Sequence, residues 1–192
     1  MKELVTLPTA TAQWYELVNE AENVAACRLV EELESYLVFL LMRFSRQPDL
    51  AASVLALDYL NGVLTAGSLQ QERLRDVGDH CLLYSGLFPH QAERRHVRIS
   101  YFVDMGRNAY QQLSHTLANT SADLYAHLSQ DFISLMDVLL AVRKLGSAGP
   151  CLDPLPAYEL WADTGSRVAY STLREGSSGY PVILQKEPHI KH

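Results

Sequence analysis

A chain of 192 residues with 48% hydrophobic and 20% charged residues can bury a core of its own, which excludes global disorder. Its formal charge of −6 argues against a nucleic-acid partner, whose footprint is basic. Three cysteines, Cys27, Cys81 and Cys151, form no CxxC pair and imply no disulfide framework, as expected for thiols in a reducing cytoplasm.

The opening residues, 1–8, contain Glu3 and lack the apolar core of a secretory leader. Trp14, Leu17 and Val18 share one side of a helix predicted over residues 11–23. A second helix is predicted over 25–44. There Leu29, Val30, Leu33, Tyr36, Leu37, Leu40, Leu41 and Phe44 recur at i, i+3, i+4 spacing. Its run 36–42 is apolar on every side and predicts a central place in the core. Seven residues are too few to cross a bilayer, which takes about 20, so no membrane association is expected. Arg43 and Arg46 suit the C-terminal end of that helix, where the macrodipole favours cations.

Pro48 and Asp49 open a third, shorter helix carrying Leu50, Val54, Leu55, Leu57, Leu60 and Val63. After Gly67, the sequence Ser68-Leu69-Gln70-Gln71 has capping-box form and starts a fourth helix, which runs to Leu87 before Pro89. Inside it lie Gly78 and Gly86. Glycine in a helix interior costs about 1 kcal/mol relative to alanine, so two of them need a reason. Gly78, Ser85 and Gly86 share a face, and the next helix carries Gly106 and Ala109. Small residues on both sides predict a close crossing.

A polar corner, 90–98, leads into a fifth helix over 97–118. Its expected buried face is Tyr101, Phe102, Met105, Ala109, Leu113 and Leu117. Thr120-Ser121-Ala122-Asp123 caps a sixth helix reaching Leu145, with Leu124, Leu128, Phe132, Leu135, Met136 and Leu139 as its stripe. Residues 146–150 read as a linker. Two short helices follow, over 154–163 and 166–174. The fold class is therefore all-α: an irregular bundle of six to eight helices over residues 1–175. The segment 176–192 reads as a C-terminal arm. Its run Tyr180-Pro181-Val182-Ile183-Leu184 is apolar and extended, and is expected to dock on this domain or on a partner.

Chemistry concentrates around the fourth and fifth helices. Asp79 adjoins Gly78 and so lies near the packed side, where a carboxylate needs a cation or several donors. Arg107, beside Gly106, is the expected bidentate partner, with a tyrosine as the alternative. His80, Tyr101, Asp104 and Tyr110 complete a candidate polar pocket or buried network. Arg94, Arg95 and Arg98 could contact an anion at the start of the fifth helix, form a solvated turn, or make salt bridges between subunits. Glu72, Asp76 and His80 line one helix face. The lone Glu-x-x-His, at Glu93 and His96, sits among arginines and has no second copy, as a di-metal bundle would need. No metal ligand set, no cofactor and no catalytic residue is assigned.

Nucleophile-elbow, phosphate-loop and dinucleotide motifs are absent. The expectation is a helical protein acting through association, as a homodimer or an adaptor. Two alternatives remain. One is an enzyme or ligand-binding protein with its pocket between the fourth and fifth helices. The other is a metal-dependent oxidase-like bundle.

Overall fold

The computed structural model describes residues 9–46, 67–118, 120–147 and 149–176. Among them the chain is all-helical, with nine helices and no strand. The predicted third helix and the apolar run of the C-terminal arm lie outside the described residues.

Helix α1 (Ala10–Ala25) starts where the Thr9 hydroxyl accepts the Ala12 amide at 3.2 Å. It ends two residues later than expected, with Ala26 left-handed at φ 51°. Helix α2 (Glu31–Arg46) consequently begins at Glu31, not Ala25. Buried Glu22 holds the intervening loop, accepting the Leu29 amide at 3.0 Å and pairing with Arg28 at 3.0 Å. Three glutamates open α2 and two arginines close it, the arrangement that its dipole favours.

Helix α3 (Ser68–Gly86) takes Gly67, at φ 72°, as its N-cap in place of Ser68, so no side chain caps it. Leu74, Val77, Gly78, Asp79 and residues 81–86 are all buried, making α3 the central helix. That overturns the expectation for α2, whose Phe39 is 59% exposed. Helix α3 lies between α5 (Ile99–Thr116) and α7 (Phe132–Gly146), while α2 packs on α1 and α6 (Thr120–Gln130).

Glycine explains the change of centre. A Cβ on Gly78 would stand 2.3 Å from the Tyr110 ring, and one on Gly106 would meet the Phe132 ring at 2.5 Å and Cys81 Cβ at 2.8 Å. The crossing of α3 and α5 is thus as close as the small residues predicted. Gly86 faces α7 instead, where its Cβ would stand 2.4 Å from Leu139.

Two helices exceed the expected inventory. The polar corner contains a short α4 (His90–Arg94) that buries Ala92. The predicted sixth helix is divided at Asp131 (φ −92°, ψ 15°) into α6 and α7. At that junction the Ser129 hydroxyl donates to the Arg107 carbonyl at 2.9 Å, and Arg107 Nε donates to the Ser129 carbonyl at 3.2 Å. The break lets Phe132 fill the space beside Gly106 while Ser129 docks on α5.

Helix α8 (Pro154–Thr164) begins with proline at its first turn and ends at left-handed Gly165. Helix α9 (Arg167–Gly176) follows, with the Ser166 hydroxyl accepting the Ala169 amide at 3.1 Å.

Candidate functional site

Asp79 is the most elaborately held polar group among the described residues. It is 2% exposed in the middle of α3. The Tyr36 and Tyr110 hydroxyls donate to its Oδ1 at 2.6 and 2.7 Å, and Arg43 forms an ion pair with its Oδ2. Tyr36 and Arg43 are seven residues apart on α2, two turns along one face. Tyr110 comes from α5, through the space that Gly78 leaves. The ring of Tyr125, from α6, stands edge-on to Tyr36 at 6.2 Å and lies 5.8 Å from Tyr110.

Burial, and then the charge of Asp79, push the Tyr36 and Tyr110 phenols well above their ordinary range. Both therefore stay protonated and act as donors. Each oxygen of Asp79 has a partner, and Arg43 supplies the compensating charge. The cluster binds α2, α3 and α5 together through one carboxylate. Its acceptors are spent on donors within the fold, so it is not arranged as a general base.

The sequence-derived set divides on this geometry. Asp79 and Tyr110 meet, and Tyr36 and Arg43 join them. Arg107 does not: it is exposed and engages Ser129. Tyr101, expected on the buried face, is 44% exposed, because Val103 and Tyr110 turn inward in its place. Asp104 is exposed and His80 half-buried on the flank of α3.

The arginine corner also resolves differently. Arg95 lies over the Tyr84 ring at 5.3 Å, and Arg98 pairs with Glu159 and Asp163 of α8, each at 3.4 Å. Arg94 is exposed at the end of α4. Two of the three expected anion contacts thus fasten α4 and α5 to their neighbours. Among the described residues, no group of three or more His, Cys, Asp or Glu side chains could hold a metal.

Besides Asp79 and Glu22 a further carboxylate is buried, Asp137 of α7, and it was missed. The Ser166 hydroxyl donates to its Oδ1 and the Arg167 amide to its Oδ2 at 2.9 Å, so it sits at the N-terminus of α9. Burial raises its pKa, against the opposing pull of those donors. The available signal was a lone acid inside the apolar run 135–140.

Two clefts remain. One, of about 390 Å³, lies between α3, α5 and α6, and none of the pocket residues expected from the sequence lines it. Its walls include Gln71, Glu72, Arg75, Leu113, Leu117 and Tyr125. The larger, about 620 Å³, is an apolar groove that sequence reasoning treated as a plain linker. Pro150, Leu152, Pro154 and Leu173 line it. Lys144 and Glu175 join across it at 2.6 Å, so the two charges neutralise each other. Pro150, Leu152 and Pro154, alternating after Gly149, were the sequence signal for it.

Comparison with known proteins found no matching family, no matching curated protein and no matching solved structure. Among the described residues, no helix is long and apolar enough to cross a membrane.

Proposed function

We propose that this protein acts by association, as a helical scaffold that receives a short apolar protein segment in the groove between α7, α8 and α9. The carrying observation is the groove itself. Its volume of about 620 Å³ lies within the roughly 300–1,000 Å³ typical of ligand-holding cavities. Its apolar walls and paired charges favour an uncharged, aliphatic occupant. Exposed Leu155, at 66%, extends the apolar surface from the start of α8. The buried carboxylates support the same reading, because their acceptors serve the fold. The association is with another protein, either a second copy or a client in the cytoplasm. Three free thiols support a reducing compartment.

The test is an array of immobilised five- to seven-residue apolar peptides probed with the full chain and with Leu173→Glu. A subset of peptides binds the native chain, and Leu173→Glu weakens that subset at least tenfold. A binding set indifferent to Leu173→Glu overturns the reading.

A second reading rests on the cleft beside Tyr125, where Gln71, Glu72 and Arg75 converge with an aromatic ring. That mixture suits a small polar ligand. Equilibrium dialysis of the native chain and Tyr125→Ala against a metabolite mixture tests it; no Tyr125-dependent retention ends it.

A further inference from the structure

We infer that the groove's resident occupant is the chain's own segment Tyr180-Pro181-Val182-Ile183-Leu184, seated within the same molecule. The inference rests on the proposed association groove and specifies what covers it when no partner is present.

Three observations converge. The described residues end at Gly176, and Gly176 is itself a groove-lining residue. Only Ser177, Ser178 and Gly179 separate it from Tyr180. Three residues span about 10 Å at most, so the apolar segment starts within reach of Leu173 and Leu152. A tether that short also gives an effective concentration in the millimolar range, which favours its own groove over that of a second copy.

The chemistry matches. The segment carries five consecutive apolar residues with no charge, and the groove's two charges already satisfy each other. Pro181 fixes its own φ and biases Tyr180 toward an extended backbone, which lays successive side chains along opposite sides of a channel. The sequence turns polar at once after Leu184, with Gln185, Lys186 and Glu187, so the apolar stretch is bounded on both sides. A seated segment competes with any outside peptide. The groove is then self-covered, and partner binding requires displacement.

Methyl NMR on the full chain tests this. The expected result is through-space contact between the Leu152 or Leu173 methyls and those of Val182 or Ile183. The contacts persist within single molecules when labelled protein is diluted into unlabelled protein. Ile183→Asp, a change outside the described core, abolishes them. The same variant binds an added Tyr-Pro-Val-Ile-Leu peptide at least tenfold more tightly than the native chain does. Absence of the contacts in the native chain overturns the inference, and so do contacts seen only between differently labelled copies. The two readings fail separately. Missing contacts with Leu173-dependent peptide binding leave the association reading standing. Intramolecular contacts with no external peptide bound by Ile183→Asp leave only the self-seated segment.

Discussion

Asp79 and Asp137 are both buried carboxylates on central helices, yet the fold accommodates them by different means. Asp79 receives a full positive charge and two phenols from distant parts of the chain. Asp137 receives a hydroxyl and a backbone amide from one helix start, and the charge of Arg167 on that same helix pulls the other way from burial. An ion pair offsets the cost of burying the anion by a full charge, whereas a helix terminus offsets it with partial charges, and burial still raises the Asp137 pKa. The first arrangement cross-links the bundle. The second positions one helix.

Removing each charge measures the difference. Asp79→Asn leaves the Arg43 guanidinium without its counter-ion. Because Arg43 is 38% exposed, water recovers part of the loss, and the expected cost is about 2–3 kcal/mol in urea unfolding. An equal or smaller cost than that of Asp137→Asn breaks the comparison. Gly78→Ala attacks the same cluster through packing. Its Cβ meets the buried Tyr110 ring at 2.3 Å, and overpacking outweighs the gain in helix propensity by about 1–2 kcal/mol. A double-mutant cycle with Tyr110→Phe should show coupling. Strict additivity means the ring has room to move.

Asp137→Asn should cost about 1–2 kcal/mol at neutral pH, the price of a mismatched amide facing the Arg167 N–H. Its pH dependence carries more information. The folded pKa is raised above the ordinary 3.8, so between those two values the folded state binds more protons than the unfolded one. This site's contribution therefore favours folding more as pH falls through that window, and less as pH rises through it. The stability gap between native protein and Asp137→Asn should widen on acidification there. A gap that narrows assigns Asp137 the opposite perturbation.

The smallest effect is spectroscopic. With Tyr36 and Tyr110 raised well above 10, and Tyr84 and Tyr125 raised as well, at least two of the ten tyrosines should withhold their tyrosinate signal until the chain unfolds in alkali. The unfolded chain loses those protons first, so stability falls as pH climbs beyond 10. Tyr110→Phe should reduce that slope.

The helical class was legible in the apolar spacing, and the α3–α5 crossing in the glycines, because close approach leaves a compositional trace. Asp79 was legible through its neighbour Gly78. Arg43 was not, since a basic residue near a helix end already had a sufficient local explanation in the dipole. The split between α6 and α7 carries no glycine or proline. Its cause is the tertiary fit of Phe132 and Ser129, which no window around Asp131 contains. The late start of α2 is hidden for the same reason. Ala26 adopts a left-handed conformation without the usual glycine, and the residue that secures the loop, Glu22, lies in the preceding helix. Local chemistry was readable where it acts locally, while partners chosen across the fold were not.

The convergence of Tyr36, Arg43 and Tyr110 on one carboxylate also bears on how the molecule comes apart. If α2 alone peeled away, Asp79 would remain interred beside a single phenol, stripped of its cation. That intermediate is costly enough to be skipped. Amide hydrogens in α2, α3 and α5 should then exchange through a common opening event, making these three helices one cooperative unit.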